Sequence, residues 1–376
     1  MHLILIIGAF QALFMAVLIY SKRNKTAPDY FLATLFLVIT LTQFNGYMEV
    51  YNRLNDYPYP GFINTSTPLI FLHGPLMWFY VRSLTKQSFR FRPVYLLHFL
   101  PFALVLGRFA ATIYFLPADE KIMHESEELF KDDLFFPLVM IGIILFTQGY
   151  YILIWRMLKR YDKGIRNYFS KLEDIDLRWL RFLVMGAIMF YASISVLYFI
   201  DYFIDLMSYV HLQITGFSFA TVYVLVLGFY GYRQGNLFVS QRLEIDLEKA
   251  SDIPYQEGEI ETADERFLRS LLSHMKENEP YLDPELTLGK LSDELRVGPD
   301  YLSGILNGRL GKNFFDFVNH YRIEAFKQQV KLAENRKLKL ISIAYDCGFN
   351  SKPTFNRVFK RATGMTPSEY LVRVST

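Results

Sequence analysis

The sequence predicts an all-α protein: a seven-span transmembrane helical bundle in residues 1–232, followed by a cytoplasmic domain with two helix-turn-helix units. Three observations carry that expectation. Apolar stretches of membrane-crossing length recur through the first 232 residues, the loops between them alternate in charge, and the last ninety residues hold one helix-turn-helix pattern twice.

A hydrocarbon core about 30 Å thick needs about 20 mostly apolar residues in a helix. Stretches of this kind run from Leu3 to Tyr20, Tyr30 to Met48, Pro68 to Leu84, Val94 to Leu116, Leu134 to Trp155, Trp179 to Ile200 and Tyr209 to Tyr232. Cytoplasmic loops are enriched in Lys and Arg. The first loop has Lys22, Arg23 and Lys25, and the third has Arg82, Lys86, Arg90 and Arg92. The fifth has Arg156, Lys159, Arg160, Lys163, Arg166, Lys171 and Arg178. The even-numbered loops hold only Arg53, Lys121 and Lys131, and the fourth is acidic through Asp119, Glu120, Glu125, Glu127, Glu128, Asp132 and Asp133.

Strict alternation of seven spans puts the N-terminus outside and residue 233 onward in the cytoplasm. A six-span count would leave the C-terminal domain outside. The first span reads as a retained segment, because it lacks a basic stretch before its apolar run and its positive charges follow it. Trp155 and Trp179 fall near cytoplasmic span ends, where aromatic rings anchor to the interface. The single cysteine, Cys347, excludes an intrachain disulfide, and its place in an apolar helix points to buried packing.

Polar groups within spans mark candidate functional sites. Gln43, Asn45, Glu49, His73, His98, Gln148, Asp201, Asp205 and His211 qualify by position. Glu49, Asp201, Asp205 and His211 lie near span ends and are expected at the water interface. His73, followed by Gly74-Pro75, and His98 are the candidate membrane sensor residues. The histidines have no metal-ligand spacing, and no cofactor is implied.

Residues 233–280 carry eleven acidic groups against six basic ones, and Ser251 to Gly258 reads as an exposed linker. Within this acidic segment Phe267, Leu268, Leu271, Leu272 and Met275 recur at helical spacing and predict an amphipathic helix. It either packs on the domain that follows or couples and pairs copies of the chain. The balance then reverses: residues 313–376 hold eleven basic groups against five acidic ones, a local excess that the overall net charge of +3 conceals. Such an excess attracts phosphate backbones.

The domain 281–376 contains units at about 287–308 and 341–362. Leu288, Leu291 and Leu295 share a face, and Gly298-Pro299 ends that helix and starts the next. The second helix buries Leu302, Ile305 and Leu306 and turns Asp300, Ser303, Gly304 and Asn307 outward. In the second copy Ile341 to Cys347 is helical, Gly348 permits a left-handed turn, and Ser351 caps a helix to about Ala362. Phe355, Val358 and Phe359 face inward there, leaving Lys352, Thr354, Asn356, Arg357 and Lys360 for DNA. Between the copies Phe314 to Leu332 reads as one helix, spanning about 28 Å, close to the roughly 34 Å repeat of successive major grooves on one DNA face.

Residues 283–371 resemble the DNA-binding domain of AraC/XylS-type transcription regulators. The match rests on Leu286-Thr287-Leu288, Leu291, Leu295, Val297, Tyr301-Leu302-Ser303, Phe317, Tyr321-Arg322, Ile343-Ala344, Gly348-Phe349, Phe355, Arg357, Phe359-Lys360, Gly364, Thr366-Pro367 and Tyr370. The whole chain resembles the membrane-bound branch of that family by architecture. The resemblance implies that the second helix of each unit enters the major groove. Base-edge contacts are then expected at Lys352 and Arg357, with Ser303 and Asn307 in the first unit, and phosphate contacts at Lys312 and Lys360. Gly304, which replaces a larger polar residue on the first unit's reading helix, and Pro353, whose side chain cannot hydrogen-bond, depart from the family's pattern, and the first unit is expected to contribute more shape than sequence reading.

No phosphate-binding Gly-rich loop, His-Glu-x-x-His, kinase or phosphodiesterase motif occurs, so no enzyme activity is expected. The sequence therefore points to a one-component regulator in the cytoplasmic membrane. Its expected partners are double-stranded DNA, the lipid bilayer, an unidentified ligand or cue, and a second copy of the chain. The rival class is a membrane transporter or enzyme whose C-terminal domain binds a protein.

Overall fold

The computed structural model describes residues 3–86, 89–126, 134–173, 175–204, 209–233, 261–332 and 338–375. The linker at 234–260, the loop residues Glu127, Glu128, Lys131, Asp132 and Asp133, and Asp205, Arg336 and Lys337 lie outside the described residues. Regular structure among the described residues is helical, with one isolated antiparallel bridge between Phe169 and Thr287. The chain forms two units: Met1–Lys159 with Leu177–Glu244, and Arg160–Asp176 with Ile245–Thr376.

The first unit contains α1 (Leu3–Tyr20), α2 (Ala27–Leu54), α3 (Thr67–Thr85), α4 (Leu100–Phe109), α5 (Ala118–Ser126), the larger part of α6 (Phe135–Tyr168), α7 (Arg178–Ile204) and α8 (Tyr209–Arg233). A 3-10 turn at Pro93–Phe99 leads into α4, and a π turn at Ala110–Tyr114 follows it. Helices therefore occupy all seven predicted stretches, and α5 is an addition within the fourth loop.

Among the described residues, however, length and hydropathy mark six segments able to cross a membrane: Leu3–Tyr20, Ala27–Leu54, Pro93–Tyr114, Phe135–Tyr168, Arg178–Asp201 and Val210–Arg233. The exception is α3, so the count of seven is not reproduced on these criteria. The physical reason is visible in its surroundings. Phe71, Leu76, Met77, Phe79 and Tyr80 of α3 are buried by protein, and a helix walled in by its neighbours need not be uniformly apolar. It also carries Arg82 and runs on through Pro75.

Local chemistry explains where α2 begins. Asp29 accepts from the Thr26 backbone N–H and hydroxyl, both at 2.8 Å, and from Lys22 Nζ at 2.6 Å. A carboxylate in a first turn faces unpaired amides and the positive end of the helix dipole. Around α2 pack α1, α3 and α8. Gly46 permits the close approach of α8, since a Cβ there would lie 2.5 Å from the Phe217 ring.

One expectation is corrected here. Glu49 is buried rather than interfacial, and it accepts from Ser66 N–H at 2.8 Å, Ser66 Oγ at 2.7 Å and Gln213 Nε2 at 3.0 Å. Buried carboxylates need such donors, because desolvation otherwise dominates. His211, by contrast, is exposed, and Asp201 is half-buried.

The second unit contains the end of α6 with the segment to Asp176, then α9 (Glu261–Glu277), α10 (Leu288–Glu294), α11 (Pro299–Gly308), α12 (Phe314–Gln329), α13 (Leu340–Asp346), α14 (Lys352–Thr363) and α15 (Pro367–Ser375). Helix α12 stops at Gln329, short of the expected Leu332, and its 16 residues span about 24 Å. It threads the core, where Phe314, Phe315, Val318, Ile323 and Phe326 are buried and Phe326 meets Phe355 and Phe359 of α14.

The amphipathic helix α9 packs on this domain: Leu271 and Met275 are fully buried, and the Phe267 ring lies 5.0 Å from that of Tyr301. Asp264 accepts from the Tyr301 hydroxyl at 2.8 Å. The packing alternative therefore describes α9.

At the centre of the unit lies Arg322, 2% exposed. Its guanidinium donates to Tyr281 O and Asp283 O, both at 2.8 Å, to Ser170 Oγ at 3.2 Å and to Ser170 O at 3.4 Å. Burial lowers its pKa to about 10, opposed by the charges of Asp283, Glu173 and Glu285, so it stays protonated near neutrality. The expectation that Arg322 belongs to the DNA-attracting surface excess is corrected: its charge is spent inside the fold. Gly348 abuts this network at φ 89°, where a Cβ would meet Tyr281 O at 2.3 Å.

Gly348→Ala should therefore destabilise the second unit by about 2 kcal/mol or more, from the left-handed conformation and the crowded carbonyl together. Hydrogen exchange on the full-length chain would read this as lost amide protection in α12 and α13. Unaltered protection would refute the assignment.

Candidate nucleic-acid interface

Each helix-turn-helix unit is assembled by short-range chemistry. In the first, the Thr287 hydroxyl accepts from Lys290 N–H at 3.2 Å and caps α10. Helix α10 buries Leu288 and Leu291, and Pro299 opens α11 directly after Gly298. In the second, α13 buries Ile343 and Ala344, and Cys347 and Gly348 form the turn. The Ser351 hydroxyl accepts from Thr354 N–H at 3.3 Å and caps α14. Cys347 is buried, which with the nearby Asp346 and Glu279 pushes its thiol up to about 12.

The two helices in recognition position present different chemistry. On α14, Lys352, Asn356 and Lys360 recur every fourth residue, with Arg357 beside them, and all four are exposed. Such a row faces one side of a helix. Arg and Lys can donate to guanine O6 and N7 in a major groove, and Asn can pair with adenine. Arg361, one residue on, is ion-paired with Asp316 of α12. On α11 the exposed positions include Asp300, Tyr301 and Asn307, so the row holds an acid and no cation. The Asn307 amide already donates to Ser303 O at 2.9 Å and Ser303 Oγ at 3.2 Å.

Two expected contact residues are corrected. Ser303 is 4% exposed and lies on the inner side of α11. Thr354 is 5% exposed and its side chain hydrogen-bonds Glu173. Both sit on the helix edge between core and surface, where helical spacing alone assigns neither side. Lys312 is half-buried in the loop after α11, its backbone N–H donating to Leu306 O at 3.0 Å.

The feature that sequence reading missed is the segment between α6 and α7. Read as an exposed basic loop, it instead forms part of the DNA-binding unit. Ser170, 1% exposed, donates to Leu286 O at 2.6 Å. Its carbonyl accepts from Asn319 and Arg322, each at 3.4 Å. Lys171 pairs with Glu285 at 2.7 Å, and the Arg166 guanidinium lies 5.4 Å from the Phe315 ring. Glu173 accepts from the hydroxyl of Ser351, the cap of α14, at 2.8 Å. Burial pushes the Glu173 carboxyl up, but bonds from Thr354, Ser351 and backbone amides outweigh it and hold it below the usual range. The legible signal was the apolar set Leu172, Ile175 and Leu177, all buried and superfluous in a solvated loop.

The candidate sensor histidines are not brought to one cavity. His73 lines a cavity among the helices of the first unit and lies 3.0 Å from Thr42 Oγ1. His98 contacts the Tyr150 hydroxyl, and its ring lies tilted against that of Trp78 with centroids 4.9 Å apart.

Comparison with known proteins agrees with the geometry of the second unit. Residues 291–373 match the family described as helix-turn-helix domain. The C-terminal region is a helix-turn-helix domain of the AraC type. It is 36% identical over 90 residues to the uncharacterized transcriptional regulatory protein YesN of Bacillus subtilis (strain 168), covering 23% of this chain and 24% of that protein. It is 32% identical over 85 residues to the uncharacterized HTH-type transcriptional regulator YijO of Escherichia coli (strain K12), covering 23% and 29%. To the probable transcriptional regulator LumQ of Photobacterium leiognathi it is 26% identical over 92 residues, covering 24% and 36%. The chain thus spans about a quarter of the length of the first two relatives. No solved structure matches.

Arg357→Ala should weaken a specific site by about 1–3 kcal/mol and relax preference at one base pair. Lys360→Ala should weaken all sequences alike and reduce the salt slope by about 1. Ser303→Ala should leave base preference unchanged. Competition binding across randomised duplexes at several salt concentrations separates the three, and an unchanged preference in Arg357→Ala would remove its assigned role.

Proposed function

We propose that this chain is a DNA-binding transcription regulator anchored in the cytoplasmic membrane, a one-component sensor whose membrane helices control its own DNA-binding domain. Support for DNA binding comes from the tandem helix-turn-helix domain and the exposed Lys352, Asn356, Arg357 and Lys360 row. Support for anchoring comes from the six helices of crossing length among the described residues and from the basic bias of the odd-numbered loops. The organisation proposed is 1–232 as the membrane region, with its 160–176 segment packed in the C-terminal unit, 233–280 as a connection whose helix α9 docks on that unit, and 281–376 at the DNA. The unlike faces of α11 and α14 support a division in which the second unit does most of the base reading and the first contributes shape and register.

The observation that carries the sensing half is the Glu173–Ser351 hydrogen bond. Helix α6 continues without a break from a crossing stretch to Tyr168, and the next residues dock on the domain and end at the cap of its recognition helix. A carboxylate there satisfies the positive end of the α14 dipole and opposes the approach of a phosphate backbone at the same end. A membrane cue that displaces α6 or α7 draws Glu173 off Ser351 and frees the reading helix. Coupling therefore runs through the segment between α6 and α7, in addition to the acidic connection at 233–260.

Glu173→Gln in the full-length protein in lipid nanodiscs should tighten DNA binding about tenfold or more at low salt, with little change in base preference. Equal or weaker affinity would sink the coupling role. Genome-wide footprinting of the intact protein tests the regulator reading itself, and transport or turnover that survives deletion of 261–376 without any footprint would favour the rival class. A reporter fused after Thr376 should be active only in the cytoplasm.

A further inference from the structure

We propose that the first unit holds a binding site for a small, uncharged, mostly apolar molecule carrying a hydrogen-bond donor, in the cavity between α2, α3, α6, α7 and α8. The proposal rests on the sensor reading above and supplies the chemical class of its cue. The cavity measures about 180 Å³. Its walls are chiefly apolar, with Ile39, Ile70, Ile143, Phe190, Phe217 and Val224 among them.

Two buried amides define its polar chemistry. Gln43, 1% exposed, donates through Nε2 to Phe217 O at 3.1 Å and approaches Thr221 Oγ1 at 3.4 Å. Gln213, 6% exposed, donates through Nε2 to Glu49 Oε2 at 3.0 Å. A backbone carbonyl accepts only, so the Phe217 contact fixes which end of the Gln43 amide is nitrogen and sets its carbonyl oxygen on the other side. Gln213 takes the matching orientation when its Nε2 donates to Glu49. Among the described residues neither Gln43 Oε1 nor Gln213 Oε1 has a hydrogen-bond partner, although both residues line the cavity.

An unmade bond at a buried acceptor is costly, and two on residues that line one cavity call for an explanation. A donor-bearing ligand supplies it. Neutral character follows from the lining, which among the described residues places no Asp, Glu, Lys or Arg on the cavity wall to pair with an ion. Size follows from volume. An apolar cavity of about 150 Å³ accepts benzene, so this one fits a ring or short chain with one or two polar atoms. Pockets for small molecules have this make-up, apolar walls with a few placed polar groups. His73, bonded to Thr42 on the same wall, and the tyrosines Tyr151, Tyr191 and Tyr223 add to the polar lining.

The test uses the full-length protein in lipid nanodiscs with two probes of one shape, para-fluorophenol and fluorobenzene, followed by fluorine NMR against empty nanodiscs. Saturable binding of the phenol beyond lipid partition is expected, with fluorobenzene at least tenfold weaker, the 1.4 kcal/mol of one hydrogen bond. Gln43→Leu together with Gln213→Leu should abolish that preference, and Ala187→Phe, at a fully buried wall position, should abolish saturation by both probes. No saturable signal, or equal affinity of the two probes for the unmodified protein, overturns the proposal. The two-probe comparison on the unmodified protein stands even where a variant fails to fold. Because no DNA enters this assay, its failure leaves the footprinting result intact, and a chain that binds the phenol without any footprint is a receptor of another class.

Discussion

The buried guanidinium of Arg322 is the constraint on which the DNA-binding unit depends. Removing a cation from water costs several kcal/mol, and the cost is offset only when its donors meet acceptors of good geometry. Here the acceptors come from two separated parts of the chain: the Tyr281 and Asp283 carbonyls before α10, and Ser170 before α7. Satisfying one cation therefore fixes the entry to the first helix-turn-helix unit, the spacer helix that carries Arg322, and the segment that descends from α6. Gly348 is held against the same network, so the turn of the second unit is set by it too.

From that centre the division between core and surface follows. The aromatic side chains of α12 and α14 fill the interior, and α14 is left with a polar outer row in which cations predominate. Its capping serine is shared: Ser351 closes the helix by accepting from Thr354 and at the same time donates to Glu173. One hydroxyl thus belongs both to the helix that would read DNA and to the segment contiguous with a membrane-length helix. Two roles at one atom make a natural point of control, because loosening one contact leaves the other intact.

The first unit solves a related problem with amides and a carboxylate. Glu49 is surrounded by donors from Ser66 and Gln213, and Gln43 bridges α2 to the α8 backbone. Polar groups in such surroundings persist when each finds a partner or serves a function. Among the described residues the nitrogen ends here are matched and the oxygen ends are not, and the proposed ligand site rests on that asymmetry.

Periodicity in the sequence was sufficient for the helices, the paired helix-turn-helix units, the glycine turn at Gly348 and the inward set Leu302, Ile305, Phe355 and Phe359, because these depend on residues within a few positions of each other. Lys352, Asn356, Arg357 and Lys360 were legible for the same reason, being far from the helix edge. Ser303 and Thr354 were not, since an edge position is assigned by whatever packs beside it. The burial of Arg322, the docking of Ser170 and Glu173, and the enclosure of Glu49 were settled by tertiary structure alone. Each joins residues distant in sequence, and a charged side chain looks the same in a string of letters whether water or a ring of carbonyls surrounds it.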